Sequence, residues 1–107
     1  VATYNKLVRD KIPDIIQAAG KTCRIRTLND EEMRLMLQRK LHEEVQEYSS
    51  ATTDVEALEE LADMLEVMWA LAKQHGATPE QLLTIQNQKH HMRGGFEDRI
   101  FLIDVDD

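Results

Sequence analysis

The stretch EEVQEYSSATTDVEALEELAD, residues 43–63, decides the fold. It holds two pairs of carboxylates, Glu44 with Glu47 and Glu60 with Asp63, each spaced i,i+3 so that each lines one helical face. Ser49-Ser50-Ala51-Thr52-Thr53 separates them and breaks the helical pattern. The cross-pairs Glu47/Glu60 and Glu44/Asp63 are both centred near residue 53.5. If the two helices fold back on each other around that point, the four acids meet in one layer. At a rise of ~1.5 Å per residue the layer lies roughly 9 to 14 Å from the turn. Four carboxylates so placed repel one another unless cations hold them together. The stretch therefore reads as a metal site between two antiparallel helices.

Working outward, Asn29 begins the first long helix, with Glu32 as its capping-box partner, and the helix is expected to run to about Ser49. The second is expected from about Asp54 to His75, ended by Gly76. Thr78-Pro79-Glu80-Gln81 opens a third, with cap, proline and a glutamine at the box position, fading near His91. Upstream, residues 13–19 predict a short helix with Pro13 near its start and Gly20 as its stop. Residues 22–28 alternate Cys23, Ile25 and Thr27 against Arg24 and Arg26, which suits a short strand. Residues 98–104 suit a second strand, and the two are expected to pair as a small β ribbon beside an all-α helical bundle.

The chain has 107 residues, 42% hydrophobic and 31% charged, which fits one folded domain spanning 1–107 and small enough to favour an oligomeric partner. No apolar run approaches the ~18 residues of a membrane span, and no secretory signal is evident, so a cytoplasmic protein is expected. Cys23 is alone, which excludes an internal disulfide, and nothing near it activates a thiol. A net charge of −7 argues against nucleic-acid binding but leaves a small anionic substrate open, provided metal ions and local cations bridge the repulsion.

An ordinary solvated face is the competing explanation for the acids. Projected at about 100° per residue, Met33, Leu37, Leu41 and Tyr48 form one apolar stripe with Glu44 in its middle. In the second long helix Leu58, Leu61, Leu65, Met68 and Ala72 form the expected main core stripe. Glu60 and Asp63 fall in line with Met64, Val67 and Leu71, a second apolar face. Glu31, Glu43, Glu59 and Glu66 take more polar sides. A carboxylate among apolar neighbours is costly unless paired, hydrogen-bonded or metal-bound. Buried salt bridges to Lys40 or Arg39 are the alternative, although the two helices offer few cations for four acids. All four ligands are oxygen donors, with no Cys or His among them, which suits Mg²⁺, or Mn²⁺ in its place, over Zn²⁺. The Glu-x-x-His motif of helical di-iron sites is absent. Mg²⁺ held by carboxylates with waters left over commonly handles phosphates.

Two segments would serve such a substrate. Asn5-Lys6-Leu7-Val8-Arg9-Asp10-Lys11 places three cations in six residues, with Lys6 and Arg9 at i,i+3. Lys89 to Arg99 supplies Lys89, Arg93 and Arg99 around Gly94-Gly95, where bare backbone N–H groups can approach an anion. The competing readings are an exposed basic turn and a simple loop. His42, His75, His90 and His91 have no metal-ligand spacing, and Trp69 reads as core.

Glu43-Glu44-Val45-Gln46-Glu47, then twelve residues, then Glu60-Leu61-Ala62-Asp63, resembles the EExxE…ExxD pattern of MazG-like all-α nucleoside triphosphate pyrophosphohydrolases. The opening Tyr4 to Pro13 and the closing Arg93-Gly94-Gly95-Phe96 with Arg99-Ile100 resemble the phosphoribosyl-ATP pyrophosphohydrolase-like subgroup, so the likeness spans nearly the whole chain. The resemblance implies a four-helix core completed by oligomerisation, as a homodimer or homotetramer, with Mg²⁺ dependence. It also implies cleavage of a nucleotide between its α- and β-phosphates. By motif position, Glu44, Glu47, Glu60 and Asp63 would be metal ligands. Glu43 would serve as catalytic base or as support for the ligands, beside Glu44. Asn5, Lys6, Arg9, Lys11, Lys89 and Arg93 would contact phosphates.

The expected function is hydrolysis of a nucleoside triphosphate or related nucleotide to monophosphate and pyrophosphate, in the manner of nucleotide-pool house-cleaning. A non-catalytic nucleotide- or metal-binding module that regulates a partner is the rival, and a purely structural dimerisation domain the third reading. Binding without product identifies the second, and neither binding nor turnover the third.

Overall fold

A computed structural model describes residues 1–107 and contains four helices: α1 (Ile12–Ala18), α2 (Asp30–Ser50), α3 (Asp54–Gln74) and α4 (Pro79–Arg93). The fold is all-α, and the local chemistry explains each boundary. At the start of α2, the Asn29 side chain accepts from the Glu32 amide at 2.9 Å while the Glu32 carboxylate accepts from the Asn29 amide at 3.3 Å. Thr78 and Gln81 form the same reciprocal box on α4, at 3.1 and 2.8 Å. Thr53 caps α3 by accepting from the Glu56 amide at 3.2 Å. Each box satisfies donors that a helix start leaves unpaired. α3 ends where Gly76 takes φ +79°, a left-handed turn that lets the Ala77 amide reach back to the Ala72 carbonyl at 2.9 Å.

Only Ala51, Thr52 and Thr53 separate α2 from α3, so the two long helices return on each other as an antiparallel pair. Leu37 and Glu44 of α2, and Val67 and Ala72 of α3, are the four buried residues of the chain. The stripe of α3 expected as main core, Leu58, Leu61, Leu65 and Met68, is instead exposed, by 64, 43, 38 and 37% respectively. The seam inside the chain is the other row, on which Val67 is buried, Met64 and Leu71 are half-buried, and Glu60 meets the acids of α2. Ala72 alone of the expected stripe is covered, near the end of α3 where α4 begins to pack.

The β ribbon expected from 22–28 and 98–104 does not form in the chain. Neither segment has strand structure, and no backbone amide of 22–28 or 100–107 donates to another backbone group. A two-stranded ribbon needs an apolar surface beneath it to be stable, and neither segment meets one here.

The chain exposes 10058 Å² of surface, where a compact monomer of this mass would expose about 6,100 Å². Its radius of gyration is 18.3 Å, against about 13 Å for a compact chain of this length. A single copy thus leaves apolar helix faces uncovered. No helix is long and apolar enough to cross a membrane.

Candidate metal centre

Glu44 and Glu47 stand one turn apart on α2, and Glu60 faces them from α3. One carboxylate oxygen from each lies within 4.8 Å of the others. Glu44 is only 4% exposed, Glu60 is half-buried and Glu47 lies at the open edge. Oε2 of Glu44 and Oε2 of Glu60 are buried without a hydrogen-bond partner. Lys40 is the sole cation within ion-pair reach of these three acids. Its Nζ stands 3.8 Å from Glu44 Oε1 and 3.9 Å from Glu43 Oε2. One ammonium at that separation does not neutralise three carboxylates.

The acidity of the group records this imbalance. Burial pushes the Glu44 carboxyl above the usual carboxylate range; sharing a proton with Glu60 pulls it partly back, and the charges of Glu47 and Asp63 push it up again. The Glu60 carboxyl is pushed up to about 7, first by competition with Glu44 and Glu47 for one proton and then by lost hydration. Orphaned carboxylate oxygens converging from two rigid helices, with no Cys or His among them, fit a hard divalent cation. A cation would both neutralise the charges and occupy the lone pairs that nothing else satisfies.

Asp63 stands next to this group but not within it. Its Oδ1 accepts a 2.6 Å hydrogen bond from Arg9 Nη2, and Arg9 Nη1 lies 3.5 Å from Glu66 Oε1. Arg9, read from the sequence as a phosphate contact, is thus folded onto an acid read as a metal ligand. The pairing was not legible from positions 54 residues apart. The one available signal was the need of any dense acidic layer for a nearby cation.

Among the other residues singled out, Glu43 is half-buried on the Lys40 side. Asn5 adopts a left-handed φ of +46°, Lys6 Nζ lies 5.4 Å from the centre of the Tyr4 ring, and Lys11 is exposed at the head of α1. None of these three has a salt bridge or side-chain hydrogen bond to the acidic group. Lys89 and Arg93 line a shallow groove of about 500 Å³ at the end of α4, together with Gly94, Gly95 and the fully exposed Phe96. The structure therefore gathers Glu44, Glu47 and Glu60 tightly, brings Asp63 and Arg9 alongside, and leaves the remaining cations apart. Trp69, read as core, is half-buried and its indole N–H has no partner.

A family model described as phosphoribosyl-ATP pyrophosphohydrolase matches residues 6–90, which include every acid of the site. An uncharacterized protein of Mycolicibacterium smegmatis is 52% identical over 54 residues, covering 50% of this chain and 55% of that protein. The chain spans about half the length of that curated relative. No solved structure matches the chain.

Proposed function

The chain belongs to the phosphoribosyl-ATP pyrophosphohydrolase family, and on that premise we propose that it hydrolyses a nucleotide between its α- and β-phosphates. The substrate is a nucleoside triphosphate or a related nucleotide, and the products are a nucleoside monophosphate and pyrophosphate. The observation that carries this reading is the convergence of Glu44, Glu47 and Glu60 with two buried, unpartnered oxygens. Such a layer is unstable by itself and becomes favourable when divalent cations and a polyphosphate complete it.

Mg²⁺, with Mn²⁺ as a substitute, is the cation this donor set would hold, through Glu44, Glu47 and Glu60 with Asp63 joining them. When bound it supplies charge neutralisation of the phosphates and a lowered pKa for attacking water. The protein's own groups do the rest. Glu43, outside the crowded layer, accepts a proton from the water that attacks the α-phosphorus. The bond from that phosphorus to the bridging oxygen breaks, and pyrophosphate leaves with the bridging oxygen. Arg9, already at the edge of the site, turns from Asp63 to the leaving phosphates as their charge grows. Asn5, Lys6, Lys11, Lys89 and Arg93 add cationic or hydrogen-bonding contacts once the substrate and a second copy order them.

Residues 1–107 act in this reading as a single catalytic domain in the cytoplasm, clearing non-standard or excess nucleotides. The functional particle is a homodimer or homotetramer, supported by the exposed Leu58, Leu61, Leu65 and Met68 stripe. The test is incubation with Mg²⁺ and ribo-, deoxyribo- and modified triphosphates, with Glu44→Gln alongside. Monophosphate and pyrophosphate from the wild type only are expected. Nucleotide binding with no product from any member of the panel would replace this reading with a regulatory binding module.

A further inference from the structure

Two segments of the chain carry backbone hydrogen-bonding groups that nothing in the chain satisfies. Residues 21–28 and 100–107 contain no helix and no turn, and none of these residues has a positive φ. Apart from Lys21, whose amide donates to Ile16, no backbone amide in either segment donates to another backbone group. Their apolar side chains also stand in solvent: Ile25 is 71% exposed, and Ile100, Phe101, Leu102 and Ile103 are 72 to 87% exposed. Four consecutive apolar residues with free N–H and C=O groups make a strand edge without a neighbour, and such an edge pairs with another chain.

We propose that residues 100–107 of one copy pair as an antiparallel strand with residues 21–28 of a second copy, and reciprocally. Charge selects the partner. Residues 21–28 carry Lys21, Arg24 and Arg26 and no acid, whereas 100–107 carry Asp104, Asp106 and Asp107 and no base. Antiparallel pairing with Arg24 opposite Asp104 sets Lys21 opposite Asp107. The same register puts Cys23, Ile25 and Thr27 opposite Val105, Ile103 and Phe101, so that one face of the ribbon is almost wholly apolar or β-branched. Arg26 falls opposite Leu102 and needs no acid there, because it already holds Glu32 at 2.8 Å. Each copy has both halves, so a two-fold axis forms both ribbons and gives every one of these segments a partner strand. This pairing lies between copies; the ribbon within one chain does not exist in the structure.

The register places the native Cys23 directly opposite Val105, so a disulfide reports it. Val105→Cys, mildly oxidised, is expected to run as a covalent dimer without reductant, with peptide mapping joining Cys23 of one copy to position 105 of the other. A monomer with an internal 23–105 disulfide, or no such disulfide at all, overturns the proposal. In the same background, Arg24→Asp alone and Asp104→Arg alone are each expected to lose the covalent dimer. Mixing the two proteins restores it, because every ribbon of the mixed dimer again has one base opposite one acid. Pairing within one chain would not respond to mixing, and failure of the mixture to cross-link overturns the exchange between copies. Both variants lie on exposed, non-helical segments, and an unchanged helical circular dichroism spectrum confirms folding.

Discussion

Arg9 and Asp63 are joined by a 2.6 Å hydrogen bond across 54 residues of chain, tying the N-terminal segment to the edge of the acidic layer. Both side chains are about half exposed, so the pair is worth at most about 1 kcal/mol in solvent. That weakness suits a contact that the proposed reaction would exchange. Held by Arg9, Asp63 is not free to bind a cation, and held by Asp63, Arg9 is not free to bind a phosphate. Arg9→Ala is therefore expected to strengthen Mn²⁺ binding in the absence of nucleotide, by up to about fivefold, while weakening turnover. Calorimetric titration with Mn²⁺ checks this. Weaker Mn²⁺ binding in the variant would show that the bond supports the site instead of competing for it.

Glu44→Gln removes the most buried acid of the layer while keeping its shape. Turnover is expected to fall by at least about 10- to 100-fold, the range that loss of a group supporting a metal ligand costs. The metal-free protein is expected to be no less stable than wild type, because a repulsive charge has gone and Lys40 keeps Glu43. Thermal melts in a chelator read this directly. A large drop in melting temperature would mean that the Lys40–Glu44 pair holds the fold, which is the salt-bridge reading of the acids.

The helical hairpin and the convergence of Glu44, Glu47 and Glu60 were legible because spacing alone carries them, whereas Asp63, expected in the same layer, stands beside it on Arg9. An i,i+3 pair must share a face, and a break of three to five residues must bring the pairs together. The capping boxes at Asn29 and Thr78 were legible for the same local reason. What sequence could not supply was the choice between two apolar faces of α3. Both the Leu58 stripe and the Val67 row have helical periodicity, and burial in one chain picks the row that carries Glu60. The same limit hid the Arg9–Asp63 bond and the fate of 22–28 and 98–104. Long-range partners depend on which surfaces one copy covers, and periodicity says nothing of that.

Glu60 gives the metal-free protein a pH signature. Its carboxyl titrates at about 7 when folded against an ordinary glutamate value of 4.5. Between these values the folded chain holds protons that the unfolded chain has released, so stability is fully present below about pH 4.5. It is then lost as pH rises through 7, and Glu44 shifts in the same direction. Melting temperature in a chelator is thus expected to fall from pH 5 to pH 8, and Glu60→Gln to flatten the slope. A melting temperature that rises over this range would contradict the shared-proton account of the three acids.

On the proposed reading, divalent cations should reverse that loss by binding the ionised layer of the folded state. At a free concentration 100 times the Kd, linkage adds about 2.7 kcal/mol, on the order of 10 °C for a chain of this size. The rise should be larger at pH 8 than at pH 5, where the cation displaces a proton from Glu60. Calorimetric scans with and without Mg²⁺ at both values decide it. An unchanged melting point at pH 8 with millimolar Mg²⁺ and saturating nucleotide would remove the site.

Leu61 lies mid-way along the exposed stripe of α3, with Leu58 and Leu65 one turn to either side. The surface in excess of a compact monomer is about 3,900 Å² per chain, more than the roughly 1,000 to 2,500 Å² that one partner of an obligate assembly commonly buries. A second copy on this stripe would cover part of that excess, with the acidic seam on the neighbouring row left to the chain itself. Leu61→Glu places a charge in the centre of that contact, where it would be buried unpaired at a cost of several kcal/mol. The expected result is a monomer by sedimentation or light scattering, with reduced helicity because the stripe is then solvated. An unchanged assembly would place the interface elsewhere on the helices and leave the Leu58–Met68 stripe without a covering partner.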